Sequence, residues 1–166
     1  MEKELFDDLV AALNESIEYE RRNIKHLDNM NIEYKKDLSE VTEAMFLGFF
    51  EGWANPPSAA THLAILQNSY RAFVAVDKEC NRVVGFINAV SDGILTAYIP
   101  LLEVVKSYQG MGIGSNLVKL MLAELENMYM IDICHDAELS TFYAKFGTFR
   151  GHASLFRNFT ARYINT

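Results

Sequence analysis

The chain has 166 residues, of which 50% are hydrophobic and 12% aromatic, and its formal net charge at pH 7 is −7. This length and composition suit one globular domain with a sizeable core and exclude an intrinsically disordered chain. The acidic balance disfavours a non-specific nucleic-acid binder, which needs a basic surface. The two cysteines, Cys80 and Cys134, match no metal or redox spacing, so we expect free thiols in a reducing compartment.

The N-terminal segment, MEKELFDDLV, is acidic and lacks the apolar core of a signal peptide. No apolar run approaches the ~20 residues of a membrane span, so we expect a cytoplasmic protein that binds neither membrane nor nucleic acid. Leucine or isoleucine recurs at every fourth position from Leu5 to Ile17, which predicts an amphipathic helix within residues 1–28. We expect this helix to pack on the domain formed by residues 29–166, or to make a homodimer contact.

Further along the chain, apolar patterns separated by turn residues predict an alternation of strands and helices. Strands are predicted over residues 31–36, 71–76, 82–90, 94–105, 129–134 and 149–156, the second and third as a hairpin. Helices are predicted over residues 40–50, 58–66, 112–127 and 138–146. Ser39 is the expected N-cap of the first of these helices, and Ser58 or Thr61 that of the second. Pro100 removes a ladder donor from its strand, so a kink, a bulge or a locally unpaired stretch is expected there.

The turn that follows the 94–105 strand is the most informative segment of the sequence. Glycines alternate there at Gly110, Gly112 and Gly114, and Ser115 comes next before a helical apolar pattern begins. The unpaired N–H groups of a first helical turn, together with the helix dipole, favour an anion, and glycine lets the backbone approach it closely. The segment therefore predicts a site for a phosphorylated cofactor.

Three phosphate-binding patterns compete for this turn. A P-loop needs a Gly-Lys-Ser or Gly-Lys-Thr sequence, which occurs nowhere in the chain. A dinucleotide fingerprint, G-x-G-x-x-G, fails because Ser115 occupies its third glycine position. The pattern Q/R-x-x-G-x-G/A fits Gln109, Gly112 and Gly114. With a strand leading in and an aliphatic helix leading out, this segment resembles the acetyl-CoA loop of the GNAT superfamily of N-acetyltransferases.

A second segment supports the resemblance. Residues 136–147, DAELSTFYAKFG, are similar to the later family helix of the form N-x-x-A-x-x-x-Y-x-x-x-G-F, with Tyr143 at the tyrosine position. Asp136 replaces the usual asparagine, Leu139 the usual alanine, and Thr148 follows the glycine. The resemblance covers about residues 30–157, and within the family the chain resembles a bacterial subgroup of unassigned substrate.

The resemblance implies an α+β fold, the GNAT-like acyl-CoA N-acyltransferase fold, with a mixed, mostly antiparallel sheet of six to seven strands flanked by helices. It implies direct transfer of an acetyl group, in a ternary complex, from acetyl-CoA as co-substrate to a primary amine, without a metal. Contacts to CoA are then expected from residues of the strand end, the loop and the later helix. They are Val104, Val105, Gln109, Gly110, Met111, Gly112, Ile113, Gly114, Ser115 and Asp136.

Two residues are candidates for acid–base catalysis. The resemblance places Tyr143 near the sulfur of CoA, where a phenol that stays protonated at neutral pH can act as an acid. Glu103 is the candidate base because it lies within the apolar run IPLLEVV. A carboxylate there must be paired, lie in a solvated cleft or have a raised pKa, unless it simply faces outward at a strand end. Tyr98, or a water that it holds, is the alternative base.

Several further roles follow from the same chemistry. A backbone N–H near Val104 is the candidate oxyanion donor, because the proline and the loss of alternation predict a splayed strand. Trp53, with Phe49 and Phe50, could line an acceptor pocket or form a packed helix end. His135 could face the cleft, but a satisfied strand-end histidine is the stronger expectation. The acceptor is expected to be a small-molecule or peptide amine, and the alternatives are a non-catalytic acyl-CoA-binding or regulatory module and, third, a nucleotide-binding protein.

Overall fold

The computed structural model describes residues 31–156, so the helix predicted within residues 1–28 lies outside the described part. Within that part, five strands form one mixed sheet in the order β1-β2-β3-β4-β5. The strands are β1 Ile32–Lys35, β2 Arg71–Asp77, β3 Arg82–Ser91, β4 Thr96–Val104 and β5 Met130–Ile133. The α-helices are α1 Ala59–Gln67, α2 Ile113–Glu124 and α3 Ser140–Ala144, with 3₁₀ turns at Glu43–Met45, Lys106–Tyr108 and Ala137–Leu139.

The first four strands form an antiparallel meander, whereas β5 lies parallel to β4. The parallel pair needs a crossover connection, and the chain between β4 and β5 supplies it as α2. The predicted hairpin is confirmed as β2 and β3, and Ser58 caps α1 by accepting a hydrogen bond from the backbone N–H of Thr61. These elements place the glycine-rich turn directly at the N-terminus of α2.

Helix α2 packs on the sheet at a position where β3 carries a glycine. A Cβ atom added at Gly85 would lie 3.1 Å from Ile113 Cγ2 and 3.2 Å from Leu117 Cδ1. Ile113 and Leu117 are both buried, so the missing side chain lets the first turns of α2 approach the strand closely. The close packing fixes the start of the helix, and with it the turn that precedes the helix.

The helix predicted over residues 40–50 is wrong. The structure has only the 3₁₀ turn Glu43–Met45 there, which begins after Thr42, and the N–H of Ser39 donates to Asp37 Oδ1. Gly48 and Phe50 have positive φ values of 80° and 59°, which a right-handed helix cannot contain. The irregular backbone instead buries apolar side chains of this segment in the core.

The predicted sheet of six to seven strands is corrected to five within the described residues. Residues 149–156 form no strand, and the side chains of Phe149 and Phe156 are 94% and 95% exposed. A strand needs a partner edge, and this segment is in register with no other strand of the described sheet. The strand predicted over residues 129–134 is present as β5, which lies half exposed at the sheet edge. Among residues 31–156, no helix is long and apolar enough to cross a membrane.

Candidate active site

The two central features of the site are the divergence of β4 from β5 and a bulge at Pro100. Pairing of β4 with β5 ends at Ile99 and Ile133. The register of β4 against β3 shifts between Asn88 and Val90, which face Leu101 and Tyr98 respectively, so two residues of β4, Ile99 and Pro100, lie opposite one residue of β3. The bulge predicted from the proline is confirmed. Beyond it, β4 continues beside β3 while its other edge opens.

A cleft of about 250 Å³ lies where the two strands part. It brings together side chains from β4, from the segment after β5, from α3 and from the loop that follows the first 3₁₀ turn. The lining residues are Trp53, Ile99, Pro100, Leu101, Leu102, Glu103, Ile133, Cys134, His135, Asp136, Leu139 and Tyr143. Both candidate catalytic residues therefore line the same cleft, as does Trp53.

Glu103 is held in the cleft by a backbone donor. Its Oε1 accepts a hydrogen bond of 2.8 Å from the N–H of Phe50, the residue with the positive φ. Burial raises the pKa of Glu103, the Phe50 hydrogen bond lowers it, and the neighbouring charge of Glu51 raises it further, with a net upward shift. A carboxylate with a raised pKa is a better proton acceptor near neutral pH than an ordinary glutamate.

Tyr143 lies almost fully buried at the other wall of the cleft, with 5% of its surface exposed. Burial raises the pKa of Tyr143 to about 12, so the phenol is protonated across the physiological range. Its ring is stacked on that of His135, with centroids 4.7 Å apart and an interplanar angle of 27°. The stacking thus holds a protonated phenol in one orientation at the wall of the cleft.

His135 is a cleft residue that sequence reasoning set aside. It is exposed, it lines the cleft, and its Nδ1 lies 2.8 Å from the backbone oxygen of Asp136. The sequence feature that could have identified His135 as a cleft residue is its position directly before the helix motif that begins at Asp136. Tyr98, the alternative base, pairs with Asp132 of β5 and is not among the lining residues of the cleft.

The glycine turn is open on the side where an anion would bind. Gly110 and Gly112 have φ values of 79° and 82°, which favour glycine, and a Cβ atom added at either would meet nothing within 4 Å. Gly112 is the N-cap of α2, so the free N–H groups of the first helical turn follow it. Residues 106–116 carry only one charged side chain, Lys106, which is positive. These features fit the pyrophosphate of CoA.

The strand end next to the turn presents a backbone N–H to the open edge. The N–H of Val105 donates to Val84 O, and Val105 O accepts from the N–H of Tyr108. Because N–H groups alternate in direction along a strand, the N–H of Val104 points away from β3, toward the open edge. Val104 rather than Val105 is therefore the candidate oxyanion donor. The side chain of Gln109 donates from Nε2 to Val104 O over 2.9 Å, which ties the turn to the strand.

The glycine turn is also anchored by a buried hydrogen bond between two residues that the sequence did not predict to belong to the site. Tyr108 donates from its hydroxyl to Asp77 Oδ2 over 2.8 Å, and both side chains are buried. Burial and the Asp77 hydrogen bond raise the pKa of Tyr108, so the hydroxyl keeps its proton. The turn is thereby fixed to the end of β2. Within the described residues, no group of three or more His, Cys, Asp or Glu side chains could hold a metal ion.

Comparisons with known proteins agree with this geometry. The sequence profile of the GNAT acetyltransferase domain matches residues 37–158. A protein from Deinococcus radiodurans R1 that is proposed to be an acetyltransferase is 41% identical, with a TM-score of 0.74, over 76% of this chain and 88% of that one. A GNAT-family acetyltransferase from Streptococcus pneumoniae TIGR4 is 26% identical, with a TM-score of 0.62, over 77% of this chain and 98% of that one.

A more distant structure shares the fold alone. Glucosamine-6-phosphate N-acetyltransferase from Arabidopsis thaliana is 13% identical, with a TM-score of 0.59, over 78% of this chain and 99% of that one. No curated protein matches the sequence. The domain match spans most of the chain, and the Deinococcus structure is similar in both sequence and fold, so the chain belongs to the GNAT family of acetyltransferases.

Proposed function

We propose that the protein transfers an acetyl group from acetyl-CoA to a primary amine within a ternary complex, in the cytoplasm. The observation that carries this proposal is the position of Glu103 and Tyr143 in one cleft beside the open edge of β4, the strand whose end Gln109 ties to the glycine turn. The turn would hold the pyrophosphate, and the open strand edge would hold the pantetheine arm as a short added strand.

Each residue has one task in the proposed step. When bound, acetyl-CoA supplies a thioester, whose C–S bond breaks as the C–N bond of the amide forms. Glu103 takes a proton from the acceptor ammonium and passes it to solvent, which frees the nitrogen lone pair. The N–H of Val104 hydrogen-bonds the carbonyl oxygen as negative charge develops there. Tyr143 gives its proton to the leaving sulfur and regains one from the nitrogen, so that amide, thiol and one released proton balance the reaction.

The proposal is tested by measuring thiol release from acetyl-CoA with a panel of amines that includes small molecules, lysine side chains and peptide N-termini. We expect thiol release that depends on both the enzyme and the amine, with the acetylated product detected by mass spectrometry.

The binding of CoA is measured separately by calorimetry. CoA binding without turnover across the panel would favour a non-catalytic acyl-CoA-binding module, and ATP or NAD binding in preference to CoA would favour a nucleotide-binding protein. Absence of CoA binding at near-millimolar concentration would reject the assignment of the turn.

A further inference from the structure

The side chains that line the cleft carry negative charge and no lysine or arginine. Glu103 and Asp136 are both among the twelve lining residues of the described structure, and the charge of Glu51 acts on Glu103 from nearby. Like charges repel and opposite charges attract, and the effect is stronger at a partly buried group such as Glu103 than in bulk water. A cationic group is therefore favoured there, and a phosphate or carboxylate on the acceptor is opposed.

The same cleft is bordered by large apolar side chains that are open to solvent. Trp53 is 50% exposed and Leu139 is 46% exposed, although both line the cleft. Exposed indole and leucine surface is stabilised when an apolar group covers it, and an indole face also attracts a cation. Such surface suits the body of an acceptor better than it suits a polar sugar.

Trp53 and Glu103 are linked through a single residue. The indole packs edge-to-face on the ring of Phe50, with centroids 5.1 Å apart, and the N–H of Phe50 donates to Glu103. An amine whose proton is taken by Glu103 would thus have the rest of its body within reach of the indole. The charged and the apolar parts of the cleft are therefore adjacent.

We infer that the acceptor is a primary amine on an apolar, preferably aromatic body, with no phosphate or carboxylate next to the amine. This inference rests on the proposed function and specifies the acceptor class of the same site. Arylalkylamines are a chemical class that meets these conditions, including the preference for an aromatic body.

The kinetic test compares three amines that differ by one feature each. L-Phenylalanine is phenethylamine with an added carboxylate, and ethylamine is phenethylamine without its ring. We expect kcat/KM for phenethylamine to exceed each of the other two values by about tenfold or more. Equal or faster acetylation of phenylalanine would overturn the charge argument, and equal acetylation of ethylamine would overturn the role of the apolar wall.

A binding test separates the acceptor class from turnover. The chain has one tryptophan, Trp53, so its intrinsic tryptophan fluorescence reports on the cleft. In the presence of CoA, titration with phenethylamine should change this fluorescence at concentrations at which phenylalanine does not. If no amine is acetylated but this difference is seen, the acceptor preference stands and the proposed catalysis fails. If phenylalanine binds as well as phenethylamine, or neither binds, the inference is wrong.

Two variants assign the discrimination to its residues. Trp53→Ala should lower the ratio of kcat/KM for phenethylamine to that for ethylamine about tenfold, because any effect on Glu103 through Phe50 acts on both amines alike. Asp136→Asn keeps the shape of the side chain and removes its charge. It should reduce the ratio of kcat/KM for phenethylamine to that for phenylalanine several-fold. Tyr129→Ala removes an aromatic side chain that is 85% exposed outside the cleft, and it should change neither value. A Trp53→Ala enzyme that treats both amines as the wild type does would contradict the assignment of the apolar wall.

Discussion

Glu103 owes its position to an unusual residue, Phe50. With φ at 59°, Phe50 lies in the left-handed region that bulky side chains rarely adopt. Its ring packs against Trp53, His62 and Phe86, with centroids 5.1, 4.8 and 5.9 Å away. Packing on three sides holds the backbone in this conformation and directs its N–H at the Glu103 carboxylate. The strained conformation is thus coupled to the placement of the candidate base.

Glu103→Gln tests the role of that carboxylate. The amide keeps the size of the side chain but cannot accept a proton, so kcat should fall by about 10² to 10⁴, the usual contribution of a general base. The CoA affinity of Glu103→Gln, measured by calorimetry, should stay within about twofold of the wild-type value. The control variant Glu126→Gln, which lies outside the cleft, should bind CoA within the same limits. A Gln enzyme with full kcat would assign the base to a water or to another residue.

The pH profile gives an independent check on Glu103. The base works when deprotonated, so kcat/KM should rise with pH through the pKa of this group and fall as pH decreases. Because burial raises that pKa, the acidic limb should lie above the position expected for an ordinary glutamate. The Gln variant should lose this limb. An acidic limb that is unchanged in the variant would belong to another titrating group.

Tyr143→Phe tests the proposed acid. Phenylalanine keeps the stacked ring and removes only the hydroxyl, so turnover should slow by about 10² while CoA binding changes little. Since the pKa of Tyr143 is about 12, its ionisation should produce no loss of activity below about pH 11. Tyr129→Phe, on a side chain 85% exposed, is the matched control. A larger effect on CoA binding than on turnover would reject the acid role.

At the scale of elements, hydrogen bonds attach the glycine turn to the ends of two strands. Gln109 ties the turn to the end of β4, and Tyr108 ties it to the end of β2 through Asp77. Gly85 allows α2 to lie close to β3, which sets the start of the helix. The amides of the turn are therefore preorganised, which reduces the entropy lost when a phosphate binds.

Gly112→Glu tests this element. The variant places a negative charge at the N-terminus of α2, where the proposed pyrophosphate binds, so CoA affinity should fall by at least about a hundredfold. Gly112→Ala carries the same backbone strain, from a φ of 82°, without the charge. It should retain more CoA binding than the Glu variant in calorimetry, while both melt at similar temperatures. Equal loss of binding in the two variants would indicate backbone strain and not an anion site.

The elements also show where sequence patterns suffice and where they fail. The hairpin, the bulge at Pro100 and the helix after Gly112 follow from local rules that the surrounding structure does not override. The 40–50 segment has a helical pattern, but burial of its aromatic side chains required left-handed residues that no propensity signals. The 149–156 pattern is typical of a strand, but a strand forms only with a partner edge, and the sequence does not encode that partner locally.

At the scale of the whole molecule, an aromatic cluster connects the core to the cleft. It consists of the rings of Phe46, Phe49, Phe50 and Phe86 around His62, with centroids 4.2 to 5.2 Å from that of the histidine. The cluster supports Phe50, and through it both Trp53 and Glu103. The sequence shows that these aromatic residues exist, but their convergence on one histidine depends on contacts between α1, the 40–50 segment and β3.

His62 makes the stability of this cluster depend on pH. The side chain is 1% exposed, and its Nε2 has no hydrogen-bond partner among the described residues. Burial lowers the pKa of His62 to about 4, against about 6.5 in an unfolded chain. The unfolded state therefore binds more protons between these two values, and the stability that is present above about pH 6.5 is lost as pH falls toward about 4.

Replacement of His62 by leucine isolates this effect. The free energy of unfolding of the wild type, from urea titrations, should contain a loss of about 2 kcal/mol from this group between neutral pH and about pH 5. His62→Leu keeps an apolar side chain of similar size in α1 and cannot take up a proton. Over the same pH range, the free energy of unfolding of this variant should therefore fall by about 2 kcal/mol less than that of the wild type. The difference between the two curves cancels the contributions of groups that both proteins share. Parallel curves for the two proteins would mean that His62 takes up a proton as readily in the folded state as in the unfolded chain, which would contradict the lowered pKa.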